Sequence, residues 1–280
     1  MEIKPSTQGT PAQVRARIAR GEITGPTAEL CPGFGQANLV IVPRDWAFDF
    51  LLFALRNPRS CPLVEVLDPG DPFTRVTADH ADLRREIPRY RVWEKGKLKA
   101  EPTDITPWWR DGLVSFLLGC SFSFDAALMA AGLPVRHVEA GCNVPMYRTS
   151  VPARPAGRLG GPLVVSMRPM PPELVEKAHA VSGRFTSSHG APVHHGDAGA
   201  LGIADLAAPH YGDAVEVRPG EVPVFWACGV TPQAVLVESG VDFAITHAPG
   251  HMFITDLPAG EMAAVGPGAA PAAAAAPDRP

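Results

Sequence analysis

The sequence predicts an α/β fold: a three-layer α/β/α sandwich with a mixed, mostly parallel sheet, plus a smaller inserted two-layer α/β lobe. Three observations lead there. Residues 222–256 read as strand, turn, short helix and strand, the order that joins parallel neighbours. Apolar runs and helical patterns follow one another through the first 140 residues, as in a sheet covered by helices. From residue 141 the composition shifts to many prolines and arginines around two extended runs, which marks an insertion with its own small sheet.

Particular residues support the strand-helix-strand reading. Residues 224–228 are a short apolar run ended by Gly229. Thr231 and Pro232 form a helix start, a hydroxyl cap followed by a residue whose missing N–H costs nothing there. Gly240 stops that helix, and residues 243–245 begin the next strand. Ligands of open parallel sheets bind beyond the carboxyl ends of the strands, which is where loops 228–231 and 246–251 fall. The first loop offers backbone N–H groups at Gly229 and Thr231 to a carboxylate or phosphate. In the second, a Pro249-Gly250 turn brings His247 and His251 together.

The other elements follow from local signals. Thr10 caps a first helix over residues 11–21, with Pro11 just inside it. Residues 39–42 are a short strand. Residues 43–56 form an amphipathic helix with a stripe of Trp46, Phe50, Phe53 and Ala54, stopped by Asn57-Pro58. Residues 63–67 read as a central strand, and residues 94–97 as the tip of an exposed hairpin. Residues 108–118 read as a buried helix. Ser123 caps the next one, which ends at Gly132 and Pro134, and residues 135–139 are a strand. Extended runs at 146–151 and 163–167, a helix at 172–182 and a short strand at 214–217 complete the smaller lobe. The expected division is 10–140 with 219–257 as the main domain, 141–218 as the inserted lobe, and 258–280 as a disordered Pro/Ala-rich tail.

Composition narrows the function classes. A net charge of −4 gives no electrostatic case for nucleic acid or an anionic membrane. No run approaches the roughly 20 apolar residues of a membrane span, and the first ten residues lack the apolar core of a signal peptide. Five cysteines without paired spacing fit a reducing, cytoplasmic setting better than a disulfide framework. There is no Cys-x-x-Cys, and the histidine spacings match no zinc signature, so no metal and no cofactor is expected. The expected partner is a small molecule, and assembly into a homo-oligomer stays open.

Several phrases occur together in one order: residues 36–39 (Gln36 to Leu39), 49–53, 119–124 (Gly119 to Phe124), 143–149 (Asn143 to Thr149), 166–169, 189–194 (His189 to His194), 224–233 and 246–252. Through them the chain closely resembles the D-glutamate cyclase family from about residue 10 to 257. That resemblance implies a lyase removing water from D-glutamate to give 5-oxo-D-proline. It also implies a three-layer α/β/α domain with a smaller lobe. It carries no residue roles, so those rest on chemistry.

Cyclising glutamate needs a base for the amine, an acid for the leaving oxygen and a clamp for the α-carboxylate. His247 and His251 are the first candidate pair, the alternative being that one of them only ties the turn. His189 and His194 are the second pair, with a structural role in their loop as the alternative. Arg148 and Arg168 are candidate clamps, helped by Tyr147, Thr149 and Asn143, against a simple salt bridge between lobes. Glu139 is a candidate acid or base, and Cys120 a candidate thiolate ahead of a helix start. The expected function is a cofactor-independent hydro-lyase acting on an amino-dicarboxylate. The alternatives are a carboxylate-binding subunit without turnover, serving a partner that processes 5-oxoproline, and a metal-dependent hydratase of another small acid.

Overall fold

The computed structural model describes residues 9–261. From residue 262 the tail expected to be disordered lies outside the described residues. The chain is mixed α and β, running α1 (Pro11–Ala19), β1 (Phe34–Pro43), α2 (Arg44–Arg56), β2 (Leu63–Val66), β3 (Tyr90–Glu94), β4 (Lys97–Ala100), β5 (Leu113–Gly119), α3 (Phe122–Ala130) and α4 (Arg136–Glu139). It continues through β6 (Met146–Pro152), β7 (Pro162–Met170), α5 (Val175–Ser182), β8 (His194–His195), β9 (Val222–Ala227), α6 (Thr231–Glu238), β10 (Phe243–His247) and β11 (Phe253–Pro258).

The strands form two open sheets. The larger has the order β2-β5-β1-β10-β3-β4, with β11 also on β1, and the smaller the order β6-β7-β9-β8. Every registered pair is antiparallel, so the mostly parallel sheet is corrected. The physical reason lies in α6. It is preceded by β9 in the smaller sheet and followed by β10 in the larger, so it passes between sheets instead of joining parallel neighbours. A strand-helix-strand pattern carries the order of elements but not the edge each strand finds.

The layering also differs from a three-layer sandwich. One face of the larger sheet is covered by α2 and α6, through Phe50, Phe53, Val235 and Leu236. The other face is covered by residues 67–89 and 101–109, which contain no α-helix. In the smaller sheet, Met170, Val224 and Trp226 pack under α3 and α5. Its opposite face, at Tyr147, Met167 and Phe225, is closed by Leu201 and Ile203.

Locally the strongest signals hold. Thr10 caps α1 in a reciprocal box with Gln13. The stripe of α2 is buried at Trp46, Phe50, Phe53 and Ala54. At the β3–β4 tip, Lys95 and Gly96 have φ of 50° and 70°, the pair of positive values a tight hairpin turn needs. Four element assignments are corrected. Residues 108–118 are not a helix, because β5 runs through them, buried at all seven positions and therefore without alternation. In place of the expected strand at 135–139, residues 136–139 form the short helix α4; residues 214–217 are irregular, and β2 is an edge strand instead of a central one. Ser123 is not a cap: it lies inside α3, where its Oγ accepts the Gln36 N–H at 3.0 Å.

Gly119 ends β5 where the two sheets meet. A Cβ there would collide with the backbone carbonyl oxygen of Ser187, which cannot move independently. Gly119→Ala is expected to destabilise at the upper end of the roughly 1–3 kcal/mol typical of overpacking. A urea midpoint equal to that of the parent would refute this close approach.

Candidate functional site at the junction of the sheets

The edge of β1 is shared. Val40 and Ile41 pair with β10, while residues 34–37 pair with β11. Between these stretches the ladder is interrupted, and the His247 imidazole fills the gap. Its Nδ1 accepts the Leu39 N–H at 3.1 Å and lies 3.2 Å from the Leu39 carbonyl oxygen. Gln233 on α6 donates to the His247 carbonyl at 2.9 Å. His247 is fully buried, and burial lowers its pKa to about 4. It is a neutral ring holding backbone.

His251 stands differently. It is half-buried, and its Nδ1 lies 3.0 Å from the Pro249 carbonyl, which assigns the ring hydrogen to Nδ1. Nε2 then keeps a lone pair and makes no hydrogen bond among the described residues. Burial, opposed by the Pro249 contact, lowers its pKa below the ordinary histidine value. Its charged neighbours are Arg89, Glu101 and Arg91. Arg91 pairs with Glu101 at 2.6 Å, whereas Arg89 forms no ion pair among the described residues. Asn143 donates to the Pro249 carbonyl at 3.3 Å, tying residues 141–143 to this loop.

The two candidate clamps lie in different surroundings. Arg168 is fully buried in β7, with Nη2 2.7 Å and Nε 2.9 Å from Asp125 Oδ1 and further contacts to Ser166 and Ser121. Its guanidinium is thereby engaged. Arg148 pairs with Glu238 at 2.8 Å and, with Thr149, lines a separate cavity toward the end of α6.

Most of the other sequence candidates hold structure. Tyr147 donates to the Leu206 carbonyl at 2.7 Å, and Thr149 to the Leu163 carbonyl at 2.8 Å. Thr231 is the first residue of α6, not its cap; its Oγ accepts the Val164 N–H and its own N–H bonds the Cys228 carbonyl. Gly229 packs against the Asn38 amide, where a side chain would collide. His189 has φ 79°, and its Nδ1 lies 2.6 Å from the Arg59 carbonyl oxygen. Burial lowers its pKa to about 4. His194 Nε2 lies 2.7 Å from the Asp197 carbonyl oxygen. Glu139 is exposed beside Arg136, and burial pushes the Cys120 thiol up to about 12.

Sequence reading missed the group with the most unsatisfied polar atoms. Asp125 of α3 and His137 of α4 are both buried, with Nε2 of the histidine 3.3 Å from Oδ2 of the acid. Burial raises the Asp125 carboxyl, but Arg168 and then His137 outweigh it and hold its pKa below the usual range. The available signal was a lone charge within an apolar stretch: Asp125 in α3 and Arg168 in β7. A cavity of about 340 Å³ is lined by His137, Asn143, Asp213 and Glu29. A second, of about 210 Å³, touches Asp125, Ser123 and Gln36. Among the described residues no group of three or more His, Cys, Asp or Glu side chains is arranged to hold a metal. No helix there is long and apolar enough to cross a membrane.

Residues 114–256 match the family model described as D-glutamate cyclase. A relative named "Putative hydro-lyase" from Stutzerimonas stutzeri is 60% identical over 89% of this chain and 94% of its own length. The chain belongs to the D-glutamate cyclase family. Another member, from Rubrobacter xylanophilus and bearing the same name, is 60% identical over 88% of this chain and 95% of its own. One from Mycolicibacterium gilvum is 57% identical over 90% and 96%. Among solved structures, a nitrogen repressor-like protein from Methanococcus jannaschii aligns over 84% of this chain and 90% of that one, at 12% identity and a TM-score of 0.35. So low a score carries no structural inference for this family member.

The buried histidines make stability acid-sensitive. The folded pKa of His247 and of His189 is depressed to about 4 from an ordinary 6.5. The unfolded chain therefore binds protons first as pH falls. Stability from this source is complete above pH 6.5 and lost between 6.5 and 4, at up to about 1.4 kcal/mol per unit for each ring. Urea midpoints across that window should fall, and by less in His247→Gln measured against its own plateau.

Proposed function

We propose that this chain is a hydro-lyase that removes water from D-glutamate, or a close amino-dicarboxylate, to give 5-oxo-D-proline. Family membership supports the reaction class. The observation that carries the local assignment is the pair His251 and Arg89: a proton acceptor whose Nε2 makes no hydrogen bond, beside an arginine that forms no ion pair, among the described residues. Arg89 grips the α-carboxylate through its planar fork. His251, largely neutral at pH 7, takes a proton from the substrate ammonium and frees the nitrogen for attack on the γ-carboxyl carbon. His247 and Gln233 act as positioning residues that hold the start of the 247–251 turn against β1 and α6.

Electrons and atoms balance without a co-reactant. The ammonium gives up two protons, one carboxyl oxygen leaves with two, and the carbon–nitrogen bond replaces a carbon–oxygen bond. The test is incubation of the purified protein with D-glutamate, followed by chiral chromatography for 5-oxoproline. Formation of the D-product supports the reading. Absence of turnover, with no protection against heat by D-glutamate or 5-oxo-D-proline, would remove this substrate.

A further inference from the structure

The ion pair with Arg168 accounts for one oxygen of Asp125 but not for His137, buried beside the other. Among the described residues His137 Nδ1 has no partner, and Nε2 has only the 3.3 Å approach to Asp125 Oδ2. Asp125 Oδ2 likewise has only that approach, while Oδ1 is gripped by Arg168. Buried polar atoms left without partners are costly and rare unless they serve a ligand or a reaction. His137 also forms part of the wall of the 340 Å³ cavity, which shares Asn143 with the His251 turn. The Phe122 ring stacks on it, 6.2 Å between centroids and inclined by 26°, which limits how the imidazole turns. Other charged groups around it are Arg136 and Glu139 on its own helix, and Glu29 and Asp213 across the cavity.

We infer that His137 is the acid that protonates the departing oxygen, with Asp125 and Arg168 as the residues that position it. The inference rests on the cyclase reading above. When the carbon–oxygen bond of the tetrahedral adduct breaks, the electron pair goes to oxygen, and the oxygen takes a proton from the His137 nitrogen turned away from Asp125. The other proton of the water comes from the nitrogen within the adduct. His251 ends protonated and His137 neutral, and exchange with solvent restores both. Asp125 stays ionised throughout and holds the ring in place.

The test compares wild type, His137→Gln and Asp125→Asn across pH, each checked for folding by thermal melting. His137→Gln should lower kcat on D-glutamate by a hundredfold or more, leave KM within about threefold, and abolish the alkaline limb of the pH profile. Asp125→Asn should lower kcat by tenfold or more with KM within about threefold, a split that a purely structural role would not give. A folded His137→Gln with the parent's kcat and pH profile overturns the inference while leaving the cyclase reading intact. If wild type itself does not turn over D-glutamate, the cyclase reading fails. The role of His137 is then decided by NMR on wild type, using its imidazole signal, identified by loss in His137→Gln. A shift of that signal on titration with D-glutamate or glutarate supports a ligand-facing group, and an unmoved signal overturns it. The same titration decides the matter if Asp125→Asn does not fold.

Discussion

Arg168→Ala is expected to destabilise the protein by about 3–5 kcal/mol, the range for breaking a buried ion pair from one side. The side chain has no solvent exposure, and its only acid partner among the described residues is Asp125, itself buried. The guanidinium also lies 5.2 Å from the ring centroids of both Phe124 and Trp226. Truncation would leave the carboxylate without its chief counter-charge and open a void between two aromatic rings. Replacing both partners by apolar residues, Arg168→Met with Asp125→Leu, should cost less than the sum of the single changes, since no uncompensated charge remains. Urea denaturation of the four species measures the coupling. A loss under about 1 kcal/mol for Arg168→Ala would mean that water reaches Asp125 and that the pair is not sealed.

The second large effect is on rate. His251→Gln is expected to lower kcat on D-glutamate by about 10²- to 10⁴-fold, the usual contribution of a positioned base, with little change in melting temperature. The ring is half-buried and, among the described residues, bonds only the Pro249 carbonyl, so its loss removes little packing. The pH dependence has a definite sign. Burial lowers the His251 pKa, so the basic form persists below pH 6.5, and kcat/KM should rise on an acid limb whose midpoint lies under that value. His247→Gln makes the useful contrast, because it loosens backbone at Leu39 and should cost stability as well as rate. A folded His251→Gln with an unchanged rate would transfer the base role elsewhere.

Much of the local structure was legible and little of the pairing. Thr10, Pro11 and Gln13 announce α1, and the Lys95-Gly96 tip announces its hairpin, because caps and tight turns depend on neighbours in sequence. Nothing local says that Val40 meets Thr246 on one edge of β1 and Phe116 on the other. β5 was misread because a strand buried on both faces has no alternation to distinguish it from a helix. The site shows the same divide. His247 and His251 share a turn and could be paired by inspection. Asp125, His137 and Arg168 come from two helices and a strand of the smaller sheet, and only the fold brings them together.

The passage of α6 between sheets has a mechanical consequence. At its start, Thr231 is fastened to Val164 of β7 by reciprocal hydrogen bonds; its end leads directly into β10. On the other side, β5 runs into Cys120, whose N–H bonds Gln36 of β1, before α3 packs against the smaller sheet. A body clasped at two such places has no single hinge to swing on. The halves should melt together as one cooperative transition, and the junction should keep its shape whether empty or filled.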